Sequence, residues 1–309
     1  MAARGILRLS YKVVEGLGAR SYPVSPLAAG EEYEIEEYVV RLDSLILQPP
    51  GYPDVGRYRG PLRLAPRPWA PYCKWHNGPL DRRDEPWRRI YCTARVEEGR
   101  DYCRQHRRSE RFLYDLCMGL KGDRALEACR RLDQAVRAEY AVYMLVQQGG
   151  HLKVGSTRAW RVLERIAEQP HAAATVLGVF DSAYRARRAE MAVSSSGIAS
   201  EHRPRSRRLR LPQPGPAAAT LSRAAEEASR LLGLSWDGRI LRVKPPEGAH
   251  PTAIPPERLV ERPLEARGYW GGLLYLEEHG GARGYWVDER RILHRESVLY
   301  DEGLLRLGE

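Results

Sequence analysis

The chain has 309 residues, enough for two or three domains with cores of their own. Its 43% hydrophobic content argues against disorder, and no apolar run reaches the roughly 18 residues of a membrane span. The formal charge of +10 comes mostly from arginine, because lysine stands only at Lys12, Lys74, Lys121, Lys153 and Lys244. The guanidinium fork matches phosphate oxygens, which makes nucleic acid the leading partner. The competing explanation is a GC-rich codon bias with arginines spent on surface ion pairs. The first residues lack the apolar stretch of a signal peptide, so a cytoplasmic location is expected, with no membrane partner. Few phenylalanines and many prolines hint at a thermophile.

Residues 1–70 read as a β-rich N-terminal domain. Strands are expected at 6–9, 11–14, 33–40 and 42–47, and Pro49-Pro50-Gly51 ends the run. Residues 71–110 carry a different signal. Cys73-x-x-His76 is followed by Cys92 and then by Cys103-x-x-His106. Zinc takes four tetrahedral N/S ligands, and two ligands three residues apart reach one ion from a tight knuckle. The expected set is Cys73, Cys92, Cys103 and His106, with His76 as the alternative to Cys73. Such a closed site is structural, and disulfide formation is the competing use of these cysteines. A helical linker follows at 111–139, with helices expected at 111–117 and 124–140. Cys117 and Cys129 lie outside the zinc spacing. Buried thiols are the default for them, and a disulfide is the alternative.

Residues 140–235 are the centre of the chain. A strand at 140–146, a turn at Gln148-Gly149-Gly150 and a second strand at 151–154 form a hairpin, because glycine supplies the positive φ of a tight turn. Gly155-Ser156-Thr157 then leads into a helix whose first N–H groups Ser or Thr can cap. Trp160, Leu163, Ile166 and Ala167 give that helix an apolar face, and Arg161, Arg165 and Glu168 share another. A third strand is expected at 174–180 and a second helix at 183–193. On this helix Glu190 shares a half-apolar side with Ala186 and Val193, so it needs an arginine or a metal ion as partner. The Ser-, Arg- and Pro-rich stretch 194–216 reads as a basic loop with Arg203, Arg205, Arg207, Arg208 and Arg210. It is either a solvated linker or an electrostatic clamp on a phosphate backbone. A helix at 217–232 ends at Gly233. Residues 236–309 are again β-rich, with strands expected at 239–243, 273–276, 285–287, 292–293 and 297–300, and they are able to pair with the N-terminal strands.

Tyr143 and the run Lys153, Val154, Gly155, Thr157, Arg158, Arg161, Arg165, Glu168 and Gln169 resemble the GIY-YIG nuclease superfamily. More closely, they resemble the uncharacterised family DUF2797, which places a cysteine cluster ahead of such a K-V-G-x-T-R stretch. The resemblance implies a tyrosine near the scissile phosphate, an arginine stabilising the phosphorane and a glutamate holding one divalent ion, Mg or Mn. Those roles fall on Tyr143, Arg161 and Glu190, with Arg158 and Arg165 available to the nucleic acid. Lys153 stands where the second tyrosine of the superfamily would be, so Lys153 joins the expected catalytic set as a charge stabiliser. The late asparagine of active members has no counterpart after Val193. Each residue also has a plain structural reading: Tyr143 in a strand core, Lys153 guarding a sheet edge, Arg161 and Arg165 paired with Glu164 and Glu168, and Glu190 paired with Arg187.

The expectation is thus an α+β protein with β-rich ends, a zinc knuckle and a central GIY-YIG-like domain of a three-stranded sheet plus helices. Its expected work is binding DNA or RNA, with metal-dependent phosphodiester cleavage. The alternative is binding without cleavage, alone or within an RNA–protein assembly.

Overall fold

The computed structural model describes residues 4–16, 36–64, 71–201, 214–243, 253–260, 262–280 and 283–299. Arg203, Arg205, Arg207, Arg208 and Arg210 of the basic loop lie outside the described residues. In chain order the strands are β1 (Arg4–Gly16), β2 (Glu36–Gln48), β3 (Gly56–Tyr58) and β4 (Leu62–Leu64), followed by helices α1 (Glu110–Gly119) and α2 (Gly122–Ala135). Next come β5 (Tyr140–Val146), β6 (Leu152–Arg158), α3 (Val162–Ala167), β7 (Ala173–Phe180), α4 (Ala183–Ser195) and α5 (Pro214–Leu232). The chain continues with β8 (Leu241–Val243), β9 (Leu264–Trp270), β10 (Leu273–Glu278), β11 (Gly284–Asp288) and β12 (Arg295–Leu299). Among the described residues no helix is long and apolar enough to cross a membrane.

All these strands join one mixed sheet, in the order β11-β10-β9-β4-β12-β1-β2-β8-β7-β5-β6, with β3 added beside β2. The two ends of the sequence interleave within it. β1 pairs antiparallel with β12, and β4 sits between β12 and β9. β8 runs parallel to β2 and antiparallel to β7, so a three-residue strand connects the terminal strands to the central unit. Each of the long strands β1 and β2 is continuous where the sequence reads as two. Bulges at Leu7/Leu9 and Tyr11/Lys12 absorb the breaks in alternation.

β5 explains why its sequence is an unbroken apolar run. It lies between β6 and β7 and both of its faces are covered. Tyr140, Val142, Met144 and Val146 pack with α2, α4 and α5, through residues such as Leu132, Ala186 and Leu221. Ala141, Tyr143 and Leu145 face the other way, toward Val162 and Ile166 of α3, Tyr38 of β2 and Trp270 of β9. Cys117 and Cys129 are joined by a disulfide that ties α1 to α2, in place of the buried thiols taken as the default. Their side chains meet inside the central apolar cluster, where both helices pack.

The hairpin, helix, strand, helix order expected for 140–193 is present, with one shift. β6 continues through Arg158, so Ser156 and Thr157 are strand residues and cap nothing. A short 3-10 turn at Ala159–Arg161 then opens α3, whose N-cap, Arg161, makes no side-chain cap bond. The strand expected at 292–293 is absent, because Glu289–Arg291 forms a 3-10 turn there. A strand not expected, β9, supplies the neighbour of β10.

Candidate functional site

The cysteine-rich segment folds as a loose antiparallel ribbon. Tyr72 bridges Arg95 and His76 bridges Tyr91, while the Cys73 N–H donates to the Ala94 carbonyl and the Cys92 N–H to the Trp75 carbonyl. This sets Cys73 and Cys92 across from each other. A turn closed by the His106 N–H on the Cys103 carbonyl (3.0 Å) brings in the other pair, just before Ser109 caps α1. The ligand atoms of Cys73, Cys92, Cys103 and His106 all lie within 4.8 Å of one another. Sγ of Cys92 and Cys103 are 3.9 Å apart, and His106 Nδ1 is 3.3 Å from Cys103 Sγ and 3.7 Å from Cys73 Sγ. Tetrahedral Zn–S bonds of about 2.3 Å put neighbouring sulfurs about 3.8 Å apart, so the set could hold a metal ion such as zinc. The N–H groups of Cys103 and Ala94 point at Cys73 and Cys92 sulfur, contacts that would support thiolates on a bound ion. His76 is excluded by its own contacts. Its Nδ1 accepts from the Gly78 N–H at 3.1 Å and its ring packs on Tyr91.

Arg8 fastens this knuckle to the sheet. It is 2% exposed, and it donates to Gln48 Oε1 (2.6 Å) and to the carbonyls of two of the cysteines, Cys73 (2.9 Å) and Cys92 (2.6 Å). Burial lowers its pKa to about 10, opposed by Tyr91, Cys92 and Cys73. The sequence signal of this role is a lone charge in the apolar run Ile6-Leu7-Arg8-Leu9.

A cavity of about 240 Å³ opens where the knuckle, β1 and the β6–α3 junction meet. Its lining carries more guanidinium and ammonium groups than carboxylates. Some of the cations are neutralised in place. Arg89 forms a fork on Asp84 (2.7 and 2.5 Å), and Arg83 pairs with Glu164. Arg161 meets Glu168 at 2.5 Å, and Lys12 lies 3.5 Å from Glu168 and 3.4 Å from Glu289. Glu168 also takes Arg165 at 3.1 Å. Burial would raise the Glu168 carboxyl, but Arg161, Lys12 and Arg165 outweigh it and hold the group down to about 2. Like Arg8, two further cations of the lining have no carboxylate partner among the described residues. Arg158, 5% exposed, lies between the rings of Tyr114 and Trp160, each 4.6 Å away. It makes a long hydrogen bond to the Pro79 carbonyl (3.5 Å), and its Nε is buried without a partner. Arg111 bonds only to carbonyls, those of His76 (3.3 Å) and Gly78 (2.6 Å). Burial, then the nearby Arg158 charge, lowers its pKa to about 10.

The expected catalytic residues are divided between two places. Arg161 and Arg158 line the cavity; Tyr143, Lys153 and Glu190 are not among its walls. The Tyr143 hydroxyl is buried and accepts from Gln169 Nε2 at 2.8 Å; burial raises its pKa and the Arg165 charge opposes this. Its ring crosses Gly155 on the paired strand, where a Cβ would stand 2.6 Å from the hydroxyl oxygen. This close approach is the reason for glycine in the K-V-G run. Lys153 donates to the carbonyls of Glu201 (2.8 Å) and Val154 (3.2 Å); burial lowers its pKa to about 8, opposed first by Glu190. Glu190 pairs with Arg187 at 2.7 Å and accepts from the Ser156 hydroxyl. Arg187 is in turn held by Glu201 (2.8 Å) and the Leu120 carbonyl (2.9 Å). The partner that Glu190 needs is therefore an arginine, and the plain reading of Arg161 and Arg165 as partners of Glu164 and Glu168 is realised at half-buried side chains. No family model matches the chain, and no curated protein or solved structure is detectably similar to it.

Proposed function

We propose that this chain is a nucleic-acid-binding protein in which a zinc knuckle holds arginines in place for phosphate. The observation that carries the reading is the cavity at the knuckle's junction with β6 and α3, where guanidinium groups outnumber carboxylates and both Arg111 and Arg158 lack an acidic partner among the described residues. The net charge of +10 supplies the long-range attraction. Zinc in the Cys73, Cys92, Cys103 and His106 set would fix the ribbon from which Arg89 projects and the start of α1, which carries Arg111.

Binding without cleavage is favoured over the nuclease reading. Glu190 is engaged by Arg187 and Ser156, Tyr143 is buried against Gln169, and Arg161 faces a different space. The test is fluorescence anisotropy with labelled single- and double-stranded DNA and RNA over a salt series, repeated with Mg²⁺ or Mn²⁺. Binding whose log K falls linearly with log salt supports the reading. No binding at low salt refutes it. Strand cleavage lost in both Glu190→Ala and Arg161→Ala would replace it with the nuclease.

A further inference from the structure

Two guanidiniums, Arg158 buried and Arg111 half-buried, line one cavity with no carboxylate in ion-pairing distance among the described residues. The Asp115 carboxylate opposes the lowering of the Arg111 pKa without pairing with it, and already accepts from the Tyr102 hydroxyl at 2.6 Å. Burying one unpaired charge is costly, and a second, half-buried cation that repels it adds to the cost. The other cations of the wall have their own counter-charges: Arg89 has Asp84, and Arg161 and Lys12 share Glu168. Arg8 donates to the carbonyls of Cys73 and Cys92, and a zinc ion held by three thiolates and one histidine would give that cluster a net charge of about −1 to offset it. Arg158 is also preorganised. Its guanidinium carbon lies over two aromatic rings, and its Nε is buried without a partner.

We propose that this cavity is the receptor for a phosphomonoester dianion, with Arg111 and Arg158 as the two forks that hold it. Two unbalanced positive charges match the near −2 charge of a terminal phosphate better than the single charge of an internal phosphodiester or a carboxylate. On a nucleic acid such a group exists only at a strand end, so the protein would read ends rather than interior backbone. That last assignment rests on the nucleic-acid reading; the anion site itself does not.

The full chain is titrated with a short single-stranded oligonucleotide carrying a 5′-phosphate and with its 5′-hydroxyl twin. Its melting is followed with and without a nucleoside monophosphate. The phosphorylated strand is expected to bind about tenfold more tightly or better. Arg158→Met fills the slot between Tyr114 and Trp160 without charge. It should erase the preference while melting no lower than the parent in the absence of ligand, which a merely structural arginine would not allow. Stabilisation by the free monophosphate with no binding of either strand keeps the anion site and removes the nucleic-acid reading. Equal binding of both strands with no shift by the monophosphate overturns the site and leaves that reading standing. A phosphate preference that survives in Arg158→Met overturns it as well. If that variant does not fold, the wild-type titrations decide alone.

Discussion

Glu168 is the counter-charge around which the cavity's deeper cations are arranged, and replacing it by glutamine tests that directly. The substitution keeps the shape and removes the charge from a group paired with Arg161, Arg165 and Lys12. The folded protein lowers the carboxyl from the ordinary 4.5 to about 2. At about 1.4 kcal/mol per unit this sets a ceiling of about 3.4 kcal/mol. Arg165 is 43% exposed, so its share is screened and the expected loss at neutral pH is about 2–3 kcal/mol. The pKa is depressed in the folded state. The stabilisation is therefore complete above about pH 4.5, declines as the pH falls toward about 2, and is absent below. Denaturant unfolding of the parent and Glu168→Gln at pH 7 and pH 3 should give a difference at pH 3 roughly half that at pH 7 or smaller. A difference that is the same at both values would show that the side chain acts by packing, and no difference at pH 7 would refute the charge argument.

Two further outcomes follow from the same contacts. The purified chain should carry one zinc per molecule by elemental analysis, and a chelator should lower its melting temperature reversibly; a metal-free chain with unaltered melting would rule out the knuckle. Gly155→Ala should cost about 1–3 kcal/mol because its Cβ meets the Tyr143 ring, and the cost should shrink when Tyr143 is replaced by leucine. An undiminished penalty on that background would place the strain elsewhere.

The metal set was legible because ligand spacing is a local property. Cys103-x-x-His106 needs only one turn, and the ribbon that brings Cys73 to Cys92 spans few residues. The hairpin and its glycines were legible for the same reason, with Gly149 and Gly150 both at positive φ. What escaped depends on distance in the chain. β9 carries Glu265 and Arg267 in a strand of LEARGYW, and its identity comes from pairing with β10 and β4. The Cys117–Cys129 bridge depends on how α1 lies against α2, which spacing does not encode. Glu190 was correctly marked as needing a partner, but the choice of Arg187 over a metal was set by Glu201 and Leu120 holding that arginine in place. Arg111 was not singled out, because its significance is the lack of an acid near it in space.

The pairing of β1 with β12 also governs how the chain must be made. β1 meets its neighbour β12 only after all of the chain between them has left the ribosome. At about 5–20 residues per second this takes roughly 15–60 s. Through that interval β1 can pair with β2 but keeps one hydrogen-bonding edge open. An open edge on a long apolar strand is a template for other nascent chains. Arg8 and Lys12, two charges that are buried once the sheet closes, stand on that strand and would interrupt such pairing while it is exposed. The same two side chains thus serve the folded protein at the knuckle and cavity, and the unfinished one as a guard against aggregation.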